Sequence, residues 1–392
     1  MGRQFAQLLS GYTNVERGRL LRTLIAMSID KEDYSGDLDM SNFHGYKFHK
    51  LDIKSVHDAK ASSRVCWVCE DVFDNLDKIA DKVAKVAKKY EFSTFLVGTK
   101  LSFEMVSREE NLWEQVGIDY CEPIKAELNR EIGKLVEKRT GAKFSQTPDI
   151  NFLVNLPDVA VGVNVNPLFI YGEYQKLIRG IPQTRWPSKK YKTSIEEIMA
   201  KPFMAVTHGK SHKLHGLGRE DIDARCLGWR PFVLEILEPS SRSLNLKSLA
   251  KKVGKGIRIR NLRASNIGEV RRIKEERADK TYRAIVICEN ASRSDLKKLS
   301  QLVSEIKQKT PERVLHRRAD KFRHRKLKSL KTKYINSRKF SLEVKCEAGL
   351  YVKELVSGDN GRTVPSLSSV LGQPCICKDL DVLAIHHSKA KK

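Results

Sequence analysis

Two carboxylates stand one residue apart in the string Gly216-Leu217-Gly218-Arg219-Glu220-Asp221-Ile222-Asp223-Ala224-Arg225. An ionised carboxylate in such a place can attack an electrophilic carbon or take a proton. Nearby cations favour its charged form. The glycines allow tight turns and close backbone approach. The apolar run 231–237 follows and reads as a strand, a rigid base for a reactive side chain. A charged surface turn has much the same composition, so the decision rests on the rest of the chain.

Three further segments carry complementary chemistry. Lys280-Thr281-Tyr282-Arg283-Ala284 opens the apolar run 285–288, placing Tyr282 at a strand start. In Gly349-Leu350-Tyr351-Val352-Lys353-Glu354-Leu355 a tyrosine precedes a lysine by two residues. If that segment is extended, Tyr351 and Lys353 point to one side. Residues 358–366 form a turn-rich loop holding Arg362. Each segment alone has an ordinary structural explanation. Together they supply a carboxylate, a cation and two aromatic rings able to hold an extruded base.

The charge distribution names the class of partner. Residues 1–150 hold 23 Lys+Arg and 24 Asp+Glu, a net of −1; subtracting from the totals of 73 and 48 leaves 50 and 24, a net of +26, for residues 151–392. So one-sided a split points to a polyanion, and to nucleic acid first. The densest run is 312–339, with twelve Lys+Arg and two acids. There Arg317, Arg318, Arg323 and Arg325 alternate with His316, Phe322 and His324. Arginine grips phosphate and aromatic rings stack on unpaired bases. Val314, Leu315, Leu327 and Leu330 argue for ordered packing over a loose basic linker.

These side chains need a frame. A chain of 392 residues suggests two or three domains. No apolar stretch reaches membrane-spanning length and no secretory leader is visible, so the expectation is a cytoplasmic protein. Residues 1–150 read as a compact α/β domain. Leu76, Ile79, Val83, Val86 and Tyr90 predict one helix, 95–98 a strand, and Ile124, Leu128, Ile132 and Leu135 a second helix ended by Thr140-Gly141. After the polar stretch 145–149, short strands are expected at 161–165, 231–237, 282–288 and 340–346. Helical patterns lie around 192–200, 245–254 and 295–307. The fold class is α+β, a mixed sheet with helices, in a second domain from 151 to 392.

Other motifs give less. Cys66-Trp67-Val68-Cys69 has zinc-knuckle spacing, but a structural zinc needs four ligands, and only Cys121, His44 and His49 are nearby candidates. His208, His212 and His215 lack carboxylate or thiol company in sequence. Gly209-Lys210-Ser211 ends like a phosphate loop, yet Met204 stands where its first glycine belongs.

The Gly-Arg-Glu-Asp, Lys-Thr-Tyr-Arg and Gly-Leu-Tyr-Val-Lys-Glu-Leu segments resemble, in that order, the signature motifs of pseudouridine synthases. Further strings resemble the archaeal tRNA pseudouridine(54/55) synthases and their eukaryotic relatives. They are Ile170-Tyr171-Gly172-Glu173-Tyr174, Gly180-Ile181-Pro182-Gln183-Thr184-Arg185-Trp186, Pro311-Glu312-Arg313-Val314-Leu315-His316-Arg317-Arg318 and 358–366. The resemblance covers roughly 150–385, and the N-terminal part is similar to that family's accessory region with a THUMP-type RNA-binding fold, here about 50–145.

The resemblance implies an isomerase that acts on uridine 54, uridine 55 or both in the TΨC arm of tRNA, without a catalytic cofactor. Asp221 is then the catalytic nucleophile and Lys353 the cation paired with it, with Asp223 the competing carboxylate. Tyr282, Tyr351, Arg219, Arg317, Arg318 and Arg362 bind substrate. No protein or membrane partner is implied. Family members usually carry Cys-x-x-Cys before a Gly-Arg-x-Phe-Ala text that stands here at Met1-Gly2-Arg3-Gln4-Phe5-Ala6. A structural zinc on Cys66 and Cys69 is therefore expected to be incomplete. A THUMP-type region also accompanies RNA methyltransferases, but Gly254-Lys255-Gly256 makes a poor cofactor loop. A non-catalytic RNA-binding protein would not need Asp221, Tyr282, Tyr351 and Lys353 together.

Overall fold

The computed structural model describes residue 66 and residues 68–116, 122–188 and 190–387, without the side chains of 115, 116 and 317. The chain divides into two compact units, Met1–Asn166 and Pro167–Lys392.

In the first unit the helix Leu76–Ala87 buries Ile79, Ala80, Val83 and Ala87, the stripe its spacing predicts. The helix Ile124–Thr140 buries Ile124, Leu128, Ile132 and Val136 and stops at Gly141, whose φ of 74° only glycine adopts freely. Strands β1 (Thr94–Lys100), β2 (Lys143–Phe144), β3 (Ile150–Asn155) and β4 (Ala160–Val165) form a sheet in the order β2-β1-β3-β4. Phe95, Val97, Phe152 and Val154 point into the core against both helices. The helix Phe103–Val116 had no clear sequence signal. Residues 161–165, read from sequence as part of the second domain, pair with β3 instead. The units accordingly part after Asn166, later than the 150/151 boundary expected from composition.

The second unit is built on one mixed sheet. Its strands are β5 (Leu168–Lys176), β6 (Ser211–Gly216), β7 (Arg225–Leu237), β8 (Ile257–Ser265), β9 (Asp279–Cys288), β10 (Glu305–Lys309), β11 (Phe322–Asn336), β12 (Lys339–Cys346), β13 (Thr363–Val364) and β14 (Cys375–His386). The order is β13-β10-β11-β12-β9-β14-β7-β5-β8, with β6 added on β7. The pairing is antiparallel except between β14 and β7, which meet in parallel only at Asp381↔Arg225 and Val382↔Cys226. Two antiparallel halves are joined by this short seam, and the two aspartates lie just before the seam residue Arg225.

Each half has its own core. Phe340, Leu342 and Val344 alternate inward from β12 onto Leu355 and Leu367 of two short helices. Ile195, Met199 and Phe203 of the helix Ile195–Thr207 pack on Phe232, Leu234 and Ile236 of β7. A side chain of this kind, fully buried, stabilises by about 1.5–3 kcal/mol.

Two sequence expectations need correction. The pattern at 295–307 is not one helix: the helix ends at Lys298, a 3-10 turn follows, and Glu305–Lys309 is strand. Alternating burial of Ile306 and Gln308 explains why helix spacing misread it. Tyr351 and Lys353 do not share an extended segment, because Tyr351 caps the helix Val352–Ser357 and Lys353 lies in its first turn. The basic run 312–339 is ordered, as its leucines suggested: a 3-10 turn, Glu312–Arg317, then the long strand β11.

Candidate active site

The turn 217–224 links β6 to β7 and is fixed from below by its own backbone. Leu217 N–H donates to Pro231 O at 2.9 Å, closing the ladder. Gly218 sits at φ 74°, and a Cβ there would come within 3.3 Å of Arg230 Nη1. Arg230, fully buried, donates through Nη1 to Leu217 O at 2.7 Å and pairs through Nε with Glu220 at 3.0 Å. Tyr174 Oη donates to Glu220 at 3.2 Å, and Gln183 Nε2 donates to Tyr174 Oη at 2.9 Å and Gly218 O at 3.1 Å.

The three carbonyls of the reactive stretch are held in turn. Lys176 Nζ donates to Asp221 O at 3.2 Å and Ile222 O at 2.8 Å. Gly180 N–H reaches Ile222 O at 2.9 Å, and Arg179 Nη1 reaches Asp223 O at 2.8 Å. Burial pulls the Lys176 ammonium down to about 8. It still carries its charge at neutral pH. Once the backbone is pinned this way, the carboxylates of Asp221 and Asp223 are left facing the cavity.

Their partners come from the other half of the sheet. Arg313 Nη2 lies 3.1 Å from Asp221, and its Nη1 donates to the other oxygen at 3.4 Å. Lys353 Nζ is 3.5 Å from Asp221 but 2.6 and 2.7 Å from the two oxygens of Asp223. The expected Asp221–Lys353 pair is therefore present, though the closer contact of each residue is elsewhere. Burial would raise the Asp223 carboxyl, but the Lys353 ammonium outweighs it and holds it below the ordinary range. Arg313 also donates through Nε to buried Glu354 at 2.6 Å. Burial opposes its charge, yet Glu354 and Asp221 push its pKa higher still. Arg313 carries no mark of this role in the sequence, since nothing local signals a contact across 92 positions.

These groups line a cavity of about 610 Å³ that also takes in Tyr282, Tyr351, Arg219 and Arg318. Tyr282 rises half-buried from β9, and burial pushes its phenol upward, so it stays neutral. Tyr351 is held by its backbone: Gln308 Nε2 donates to Tyr351 O at 3.0 Å, and Gln308 Oε1 accepts from Tyr351 N–H at 2.9 Å. Its hydroxyl accepts from Arg318 Nη1 at 3.2 Å. Arg219 is exposed and forms no ion pair among the described residues.

Other expected residues lie elsewhere. Arg362 is outside the cavity lining and donates to Thr310 O at 2.7 and 3.0 Å and to Asp320. The Arg317 side chain, like His44, His49 and Cys121, lies outside the described residues. Cys66 and Cys69, each 1% exposed, face one buried turn in which Glu70 N–H donates to Cys66 O at 2.7 Å. Among the described residues no group of three or more His, Cys, Asp or Glu side chains is placed to hold a metal ion. His215 pairs with Glu235 at 2.7 Å and His212 with Glu196 at 3.5 Å. Both are cross-links of the frame.

Two family profiles match the chain: Pus10, C-terminal, over residues 169–386, and the archaeal Pus10 THUMP domain over residues 79–155. The protein named tRNA pseudouridine synthase Pus10 of Methanocaldococcus jannaschii is 39% identical, the match covering 98% of this chain and 90% of that one. Its namesake from Pyrococcus furiosus is 38% identical, over 98% and 93%. A chain in the crystal structure of a Cbf5-Nop10-Gar1 complex is similar at 16% identity and a TM-score of 0.33, over 54% of this chain and 47% of that one.

Proposed function

Because the chain belongs to the Pus10 family, we propose that it converts uridine to pseudouridine at position 54, 55 or both in the TΨC loop of tRNA, with Asp221 as the reacting carboxylate. The observation that carries this reading is the setting of Asp221. It is pinned through its carbonyl, flanked by Arg313 at 3.1 Å and Lys353 at 3.5 Å, and opens on a cavity shared with Tyr282 and Tyr351.

The isomerisation breaks the bond from N1 to the ribose, forms one from C5, moves a proton from C5 to N1, and needs no cofactor. The target base must first leave its stack, at a cost of a few kcal/mol. Stacking on Tyr282 and contact with Tyr351 offset that cost. Asp221 then attacks the nucleotide or removes a sugar proton. Either role needs the carboxylate ionised. Arg219 and Arg318 at the cavity are suited to the flanking phosphates. Cys66 and Cys69 would offer two thiolates to a structural zinc, a question for elemental analysis of the purified chain.

The test is pseudouridine mapping at single-nucleotide resolution on unmodified tRNA transcript. Asp221→Asn is expected to fold, bind tRNA and form no product, while Asp223→Asn keeps substantial activity. An active Asp221→Asn beside a dead Asp223→Asn would transfer the role to Asp223. Product from both would remove the carboxylate from the mechanism.

A further inference from the structure

Beneath the turn 217–224 the fold buries three cations against one acid. Lys176 and Arg230 are fully buried, Lys280 is 8% exposed and Glu220 is 6% exposed. Two of the three cations bind the turn itself. Lys176 holds the Asp221 and Ile222 carbonyls, and Arg230 holds Leu217 O and Glu220. Glu220 is shared between Arg230 and Tyr174.

Lys280 is different. An ammonium has three N–H donors, and the hydrogen bond that Lys280 makes is to Ala278 O at 3.2 Å, with no ion pair among the described residues. Its neighbour Asp279 is bound to Lys328 at 2.6 Å. The nearby thiols carry no compensating charge, since burial raises Cys226 to about 11 and Cys346 to about 12. One carbonyl at 3.2 Å is a thin complement for a largely buried ammonium. Lys280 nevertheless lines the cavity, two residues before Tyr282 on β9 and so on the same face. The missing side chain of Gly218 leaves it uncovered, because a Cβ there would lie 3.5 Å from Lys280 Nζ.

We propose that Lys280 is a substrate-contacting residue whose ammonium donates to an acceptor oxygen of the uridine held in the cavity, a pyrimidine carbonyl or a non-bridging phosphate oxygen. The bound oxygen supplies a second acceptor beside Ala278 O. Burial and the adjacent Arg230 both depress the Lys280 pKa, and such a contact relieves that penalty. The proposal rests on the reading of this cavity as the uridine site.

The test uses the full chain with Lys280→Met and Lys280→Gln, each checked by thermal melting and tRNA binding. Single-turnover conversion of unmodified tRNA is expected to fall about 10- to 100-fold, the range of one charge-assisted hydrogen bond, with tRNA affinity little changed. Stem-loop substrates then locate the oxygen: 2-thiouridine, 4-thiouridine, or a methylphosphonate 5′ to the target. The substitution that slows the wild type but slows Lys280→Met no further marks the contacted atom. A folded Lys280→Met at the wild-type rate overturns the proposal, as does equal slowing of both enzymes by every substrate. Failure of both variants to fold reduces Lys280 to a structural role and overturns it too. Asp221→Asn is run alongside. If that variant makes product, the reading of the site has failed; if it is dead while Lys280→Met is unaffected, only this inference has.

Discussion

Arg313 joins Asp221 to Glu354: one guanidinium reaches the first at 3.1 Å and the second at 2.6 Å. Glu354 is buried and Asp221 is half-exposed, so the buried acid anchors the fork while the reactive one stays at the cavity. Lys353 bridges in the same manner, from Asp223 to Asp221. Three carboxylates thus share two cations. Asp221 is not locked into a private ion pair, and it can turn to a substrate without leaving an unpaired cation behind.

A first prediction follows for Arg313. Lysine keeps the charge but cannot span two carboxylates with a rigid fork. Arg313→Lys should therefore lower turnover by roughly tenfold, about one hydrogen bond to a charged group, with little loss of stability. Arg313→Ala strands buried Glu354 and should cost about 2–3 kcal/mol of stability as well. Denaturant melts and single-turnover rates on the same samples separate the two. An alanine variant with full rate and unchanged stability excludes the bridge.

The carboxylate was legible in sequence because its signal is local: glycines, arginines and two aspartates before an apolar run. The helices at 76–87 and 124–140 were legible because their apolar spacing is uninterrupted. What sequence could not show is long-range. Lys176 lies 45 positions from Asp221 and Arg313 lies 92, and neither carries a mark of its destination. Lys353 was tied to Asp221 by resemblance alone; that it bonds Asp223 more closely follows from the helical turn after Tyr351, which an extended reading missed. Arg362 illustrates the converse, an arginine in a suggestive loop that is used inside the frame.

Lys176 gives a prediction about the loop and its pH dependence. Its folded pKa of about 8 lies below the ordinary 10.5 because of burial. Between those values the unfolded chain binds the proton that the folded chain has lost. Stability relative to Lys176→Met should accordingly rise as pH goes from about 8 to 10.5, and the charge-burial cost is fully present below 8. At neutral pH the methionine variant should show reduced turnover with unchanged tRNA affinity, because the Asp221 and Ile222 carbonyls lose their donor. A melting-temperature gap that is flat with pH would contradict the first claim; unaltered turnover would contradict the second.

Glu269 offers an acid counterpart away from the cavity. It accepts Arg263 at 2.6 Å, Ser265 at 2.6 Å and Arg272 at 2.8 Å. Burial opposes its charge, but these donors outweigh it and bring the carboxyl down from 4.5 to about 2. Its contribution is complete above 4.5 and disappears as pH falls toward 2. Since both arginines are partly exposed, Glu269→Gln should cost only ~1–2 kcal/mol at pH 7. The deficit should vanish near pH 2–3, provided the wild type still melts cooperatively there. An equal deficit at both ends of the range would assign the effect to packing.

The last prediction separates cations that meet RNA from cations that hold the frame. Arg219 and Arg318 have no ion pair among the described residues, and Arg318 donates to the Tyr351 hydroxyl; both line the cavity. Arg362 is half-buried and donates to Thr310 O and Asp320. Each phosphate contact adds roughly 0.7–0.9 to the slope of log affinity against log salt, through release of condensed counterions. Neutralising Arg219 and Arg318 together, as Arg219→Gln and Arg318→Gln, should flatten the slope for tRNA by roughly 1.4–1.8. Arg362→Gln should leave the slope alone and lower the melting temperature, because it breaks an internal tie. Binding titrations from low to moderate salt, with melts of each variant, decide the matter. A slope change in Arg362→Gln equal to that of the double variant would mean that the three arginines meet RNA alike and that the cavity does not sort them.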